Sequence, residues 1–280
     1  MSSSSPDMPP STKGSMNCLV DMLLQQQSNV GPFVRWHLRR KFQVMEELFR
    51  RYLRPGAKLA DIACGSGDAL VLAAACVPDC EGWGLDMDDP SLEVARQRIP
   101  GATLCHGDMG DPKELPTEYF DIVHEFGATF LSQCEWQVLA RAYLSLLKEG
   151  GILLWELPQR WSLAHLSYLL TLAPPRANET KVKRIFRSFL PSKYRFESDA
   201  SVKSALQLAG CNYEVLERLS IGNFYFPKKL QWILDWAWKC FGDRMFDILD
   251  RGARVVWPRD VGYYLVIRKT ATIGSSPRKQ

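Results

Sequence analysis

Strand-like apolar runs alternating with helical stretches predict an α/β fold built on a mostly parallel sheet. Two observations carry this expectation. Residues 58–68, KLADIACGSGD, read as a short apolar strand that ends in an acid and runs into a glycine-rich turn, with a helix beginning near residue 69. Such a turn gathers backbone N–H groups and a helix N-terminus at one sheet edge, where a nucleotide-like ligand can approach closely. Two further acids, Asp86 in EGWGLDMDD and Asp108 in ATLCHGDMGD, end the next two strand-like runs in step with that turn.

Each element has its own justification. Glycine alone marks any tight turn, so the Gly65–Gly67 spacing gains meaning from the acids that follow it. An acid about 20 residues past the turn, at the end of the next strand, can accept both ribose hydroxyls of a nucleoside. Asp86 stands there, with Met87 beside it. Asp108 can take an exocyclic amine proton while the Met109 thioether packs on an adenine face. YFDIVHEFGATF is a fourth strand-like run, and in SLLKEGGILLWELP a Lys-Glu-Gly-Gly turn leads into a fifth.

These segments resemble the class I S-adenosylmethionine-dependent methyltransferases, in the small-molecule branch that includes ubiquinone/menaquinone-type enzymes. The glycine motif stands here as Asp61-Ile-Ala63-Cys-Gly65-Ser-Gly67, with alanine at the first glycine. Asp86 matches the ribose-binding acid, and Asp108 with Met109 the adenine-contacting pair. The Lys148 turn and the strand after it match the segment that opens strand five. The resemblance implies a Rossmann-like, mostly parallel seven-stranded sheet flanked by helices, with a helical cap over the acceptor site. It implies S-adenosyl-L-methionine as cofactor, held by Asp61, Ala63, Gly65, Gly67, Asp86, Met87, Asp108, Met109 and Glu125. It also makes the strands in EVLERL and VGYYLVIRK the closing hairpin of the sheet.

The same residues argue against a dinucleotide. No third glycine follows in a Gly-x-Gly-x-x-Gly pattern, and Asp68 next to Gly67 would repel a pyrophosphate. Several acids around one site suit a cofactor that carries an ammonium and a sulfonium.

With 280 residues and 46% hydrophobic content, the chain can bury a large core. The net charge of +4 is too mild to favour nucleic acid or a membrane. None of the eight cysteines forms Cys-x-x-Cys, no metal-ligand spacing occurs, and no run is long enough to span a bilayer. The expected setting is therefore the cytoplasm, with reduced thiols.

The organisation expected is a disordered tail over 1–15 and N-terminal cap helices over 16–57. The cofactor-binding core follows over 58–158, then acceptor-binding insertions with the C-terminal strands over 159–270, and a second disordered tail over 271–280. Two insertions, near 159–197 and 220–260, are rich in large aromatics: Trp161, Tyr168, Phe186, Phe189, Tyr194, Phe224, Tyr225, Phe226, Trp232, Trp236, Trp238 and Trp257. They follow strand ends, where α/β enzymes place ligand-facing loops. They form either a lid over an apolar, flat or aromatic acceptor or the cap's own core.

An oxygen or carbon acceptor needs a base near the incoming methyl. His124 and Glu125, ending the fourth strand, are the catalytic candidates. His124 has a suitable intrinsic pKa but reads equally as a histidine packed in the strand. Glu125 could instead touch the cofactor's ammonium. Glu156, ending the fifth strand, is a third candidate and reads also as a capping or surface acid. His37, His106 and His165 carry no pattern. The basic stretches over 35–41, 50–54 and 181–187 read as solvated faces of amphipathic helices, with polyanion docking as the alternative.

The leading expectation is methyl transfer to a small, largely apolar acceptor, as in secondary metabolism. The alternatives are an RNA or protein methyltransferase, and a methyltransferase-like binding or regulatory protein that transfers no methyl group.

Overall fold

The strands lie where the alternation expected them: β1 (Lys58–Ile62), β2 (Glu81–Asp86), β3 (Thr103–His106), β4 (Phe120–Glu125), β5 (Leu147–Pro158), β6 (Tyr213–Ser220) and β7 (Gly262–Lys269). The computed structural model describes Leu23 and residues 31–129, 134–159, 162, 198–222, 231–256, 260 and 262–270. The strands form one seven-stranded sheet in the order β3-β2-β1-β4-β5-β7-β6. β1 to β5 pair in parallel, and β7 runs antiparallel to both β5 and β6. The order reverses between β1 and β4. Connections leaving those two strands diverge there and open a crevice at their C-terminal ends.

Period-two alternation decides what each face meets. Leu59, Ile122, Leu154, Tyr264 and Val266 form one core with α1 (Pro32–Tyr52) and α2 (Asp68–Cys76). Ala60, Val123, Leu153, Trp155 and Leu265 form a second with α4 (Trp136–Leu146) and α5 (Asp199–Leu208). The helix α3 (Asp89–Arg98) joins β2 to β3. It begins after Asp88, whose carboxylate accepts Ser91 N–H at 3.0 Å, and Pro90 fits the first turn.

Several expectations are refined. The helix after the glycine turn starts at Asp68. The Lys-Glu-Gly-Gly segment is an irregularity inside β5: Leu147 pairs with Phe120, the register then shifts, and Ile152 pairs with Ile122. The pair β6/β7 is antiparallel as implied, yet the connection between them carries α6 (Gln231–Phe241) and α7 (Arg244–Val256). The first half of α1 packs on these two helices through Phe33, Trp36, Leu234 and Phe246. Trp36 Nε1–H donates to Asp247 at 3.0 Å, and Arg39 pairs with Asp243 at 2.6 Å.

That packing answers the aromatic question for part of the cap. Trp238 joins this small core while Trp236 is 66% exposed. Most of 16–30, both tails, His165, the 181–187 stretch, the side chain of Trp232, and Trp161, Tyr168, Phe186, Phe189, Tyr194, Phe224, Tyr225, Phe226 and Trp257 lie outside the described residues.

Gly84 shows how tightly β2 sits under the glycine turn. A Cβ there would stand 2.7 Å from both Cys64 Sγ and Leu104 Cδ2. Gly84→Ala should therefore lower stability by about 1–3 kcal/mol through overpacking, read as an earlier urea midpoint with an unchanged slope.

Candidate active site

The turn after β1 is built from positive-φ residues: Ala63 at 56°, Gly65 at 51° and Gly67 at 78°. Ala63 thus holds a left-handed conformation at the position where the family motif has glycine, which costs an L-residue about 1–2 kcal/mol. Cys64 N–H bonds the Leu85 carbonyl at 3.0 Å, so the turn is docked on the end of β2. Asp86 completes the dock: Oδ2 accepts Gly65 N–H at 2.7 Å and Oδ1 accepts Asp88 N–H at 2.8 Å. Each oxygen keeps a lone-pair direction for a further donor.

Beyond β3, Asp108 is exposed and its Oδ1 accepts Gly110 N–H at 2.8 Å. Met109 is partly buried against the core beneath. Met87 is 64% exposed beside Asp86. The structure therefore brings Ala63, Gly65, Gly67, Asp86, Met87, Asp108 and Met109 along consecutive strand ends.

Asp68 behaves differently from the expectation. Arg98 of α3 pairs with its Oδ1 at 2.7 Å and donates to the Ser66 carbonyl at 2.7 Å. Its negative charge is largely compensated, so Asp68 adds little to the field that would favour a cation. Arg98 was missed in the sequence because nothing at the end of a helix of that composition marks a residue reaching back to the turn.

Asp61 and His124 face α1 from inside the sheet. His124 Nδ1–H donates to Asp61 Oδ1 at 2.7 Å, and Tyr264 O–H donates to Nε2 at 3.3 Å, the tautomer that the carboxylate partner selects. Asp61 is 2% exposed and His124 fully buried. The ring is wedged between Phe49 and Phe126, with centroids at 5.3 and 6.2 Å. Burial pushes the Asp61 carboxyl above its ordinary value, and the hydrogen bond from His124 pulls it back.

Glu125 points to the other face and is also fully buried. Its Oε1 accepts from Ala128 N–H and from Thr129 N–H, the latter at 2.7 Å, while Oε2 makes no hydrogen bond. Thr129 in turn accepts from Trp155 Nε1–H at 2.9 Å. Burial raises the Glu125 carboxyl to about 8, and the charge of Glu156 adds to the rise against the N–H bonds.

Glu156 is neither a helix cap nor a surface acid. It is 6% exposed at the end of β5, paired with Lys41 of α1 at 2.6 Å. Lys41 read in the sequence only as one cation of a basic stretch. Other cations of these stretches are paired as well: Arg39 with Asp243, Arg50 with Glu46, and Arg51 with Glu47 and Glu217. No His/Cys/Asp/Glu cluster suited to a metal occurs among the described residues, and no described helix is long and apolar enough to cross a membrane.

Comparison with known proteins agrees with this geometry. Residues 59–151 match the family model described as a methyltransferase domain. Demethylmenaquinone methyltransferase of Symbiobacterium thermophilum is 34% identical over 97 residues, covering 33% of this chain and 36% of that protein. A dTDP-3-amino-3,6-dideoxy-alpha-D-glucopyranose N,N-dimethyltransferase of Streptomyces fradiae is 44% identical over 64 residues, covering 23% and 24%. The chain thus spans 36% or less of the length of these two relatives. An S-adenosylmethionine dependent methyltransferase structure from Mesorhizobium loti superposes with a TM-score of 0.52 at 18% identity, over 79% of this chain and 96% of that one. Residues 59–151 are thus similar to a methyltransferase domain, and the superposition shows that the fold is shared. The two relatives are named for unlike acceptors, a quinone precursor and an amino sugar, so the domain does not dictate the acceptor.

The Asp61–His124 pair makes a direct prediction. His124→Ala leaves a carboxylate buried without its partner and should cost about 3–5 kcal/mol of stability by chemical denaturation.

Proposed function

We propose that this chain transfers the methyl group of S-adenosylmethionine to a small, largely apolar or aromatic acceptor. One observation supports the reading above the others: Asp86 and the Gly65 turn are hydrogen-bonded into a single cleft while the carboxylate keeps spare acceptor capacity. The residues fit the cofactor in a second respect. A Cβ added at Gly65 would meet nothing within 4 Å, so the turn is open on the side a ligand would use.

In this reading the Ala63–Gly65–Gly67 turn cradles the methionine part, Asp86 takes the ribose hydroxyls with Met87 alongside, and Asp108 with Met109 receives the adenine. Glu125 faces the ammonium, and Asp61 supports the turn from below. When bound, the cofactor supplies an electrophilic methyl on a sulfonium whose charge disappears as the methyl leaves.

The protein's part is alignment and exclusion of water, effects that supply about 7–11 kcal/mol in well-oriented systems. His124 has both ring nitrogens engaged, by Asp61 and by Tyr264. We therefore assign it to holding Asp61 rather than to removing a proton. On α1 the cations Arg39, Lys41, Arg50 and Arg51 are paired with acids, which favours a small molecule over RNA as the acceptor. Free thiols at all described cysteines are compatible with a cytoplasmic setting.

Calorimetry with S-adenosylmethionine and S-adenosylhomocysteine tests the reading, and no saturable binding would refute it. Asp86→Ala should weaken S-adenosylhomocysteine binding at least about tenfold, since two hydroxyls lose their acceptor. A dissociation constant equal to wild type would count against the ribose assignment.

Glu125 adds a pH signature. With its pKa near 8 the free carboxyl is protonated at pH 7, and an adjacent ammonium lowers that pKa and drives the proton off. Binding at pH 7 should release a fraction of a proton and tighten as the pH rises toward 8. The calorimetric enthalpy should then vary with the buffer's ionisation heat, and Glu125→Gln should abolish the variation.

A further inference from the structure

The end of β5 carries a carboxylate with half of its bonding capacity unused. Lys41 holds Glu156 Oε1 at 2.6 Å, whereas Oε2 is enclosed and makes no hydrogen bond among the described residues. Gly127, in the segment that leaves β4, lies against it. A Cβ at Gly127 would stand 3.5 Å from Oε2 and 3.3 Å from Lys41 Nζ. Gly127 has φ 73° and the position next to it, Phe126, places its ring 4.4 Å under the Lys41 ammonium. One turn before Lys41 on α1, His37 Nδ1 is likewise enclosed without a partner. Burial and the Lys41 cation push its pKa down to about 3, so this imidazole is neutral.

A buried ion pair is a poor device for stability alone, because taking both charges out of water offsets their attraction. A pair used only to tether α1 to the sheet would also gain from having both carboxylate oxygens satisfied. Here the unused oxygen lies against Gly127, in the segment that leaves β4, and β4 is one of the two strands that flank the strand-order reversal. A buried acceptor left unsatisfied is costly, so its retention here calls for a functional reason.

We infer that the Lys41–Glu156 pair is the acceptor-recognition element of the site and that the acceptor is protic, presenting a hydroxyl or amine hydrogen to Glu156 Oε2. This deepens the methyltransferase reading and rests on it. Lys41 fixes the carboxylate's orientation, Phe126 supplies an apolar wall, and the spare oxygen selects for a donor. An acceptor that offers only carbon and ether oxygen at this point would leave Oε2 bare.

The test uses the full chain saturated with S-adenosylhomocysteine and a matched pair of probes, 2-naphthol and 2-methoxynaphthalene, titrated by saturation-transfer NMR. Wild type should bind 2-naphthol about tenfold or more tightly than its methyl ether, as expected of a site that leaves a buried acceptor unpaired with the wrong ligand. In Glu156→Gln the ammonium of Lys41 draws the amide oxygen and leaves the amide N–H2 facing the acceptor, and that group donates alike to a hydroxyl or an ether oxygen. That variant should reduce the preference to about twofold or less while S-adenosylhomocysteine affinity stays within about twofold. The inference is overturned if the ether binds as well as the naphthol, if the preference survives Glu156→Gln, or if neither probe binds to the loaded chain. The wild-type comparison stands without the variant. A chain that never takes up S-adenosylhomocysteine refutes instead the methyltransferase reading underneath.

Discussion

The N–H of Gly65 donating to Asp86 is the interaction around which this molecule is arranged. A parallel sheet sends every strand's C-terminus to one edge, but neighbouring strand ends lie some 4.7–4.9 Å apart and their loops are free to splay. Tying the turn after β1 to the acid that ends β2 removes that freedom. The turn accepts left-handed angles at Ala63, Gly65 and Gly67 to reach the bond, and Gly84 gives up a side chain so that Cys64 can lie against β2. Arg98 closes the same unit from α3. Sequence, backbone strain and packing all serve one short stretch of chain.

Beneath that surface the carboxylates divide by depth. Asp86 and Asp108 reach the cleft, and their hydrogen bonds are to nearby backbone. Asp61 and Glu125 are enclosed, and their different partners give them different characters. Asp61 has an imidazole 2.7 Å away that draws its carboxyl back against burial, whereas Glu125 has amide dipoles on one oxygen and burial raises it to about 8. Depth and partner, not residue type, decide which acids carry charge into the site.

Much of this was legible in the residues themselves. Apolar runs ending in Asp61, Asp86 and Glu125 located β1, β2 and β4 because strand ends are where a parallel sheet tolerates acids. What could not be read were pairings across long separations. Arg98 reaching Asp68, Lys41 reaching Glu156 and Tyr264 reaching His124 depend on which helix crosses which strand, and no local spacing encodes that. The charge of Asp68 was misjudged for this reason, and Glu156 stayed open between a base and a capping or surface acid because its cation lies on an element far back in the chain.

The position of β7 between β5 and β6 has a consequence for how the molecule is made. Until residues 262–269 emerge, β5 presents an open edge, and β6 has no neighbour to join. Tyr264 and Val266, which finish the core under α1, arrive in that same last strand. The nascent polypeptide must therefore carry a long unfinished ribbon while the slow, distant pairing is awaited. Whatever shields that ribbon during synthesis governs how much of the protein matures at all.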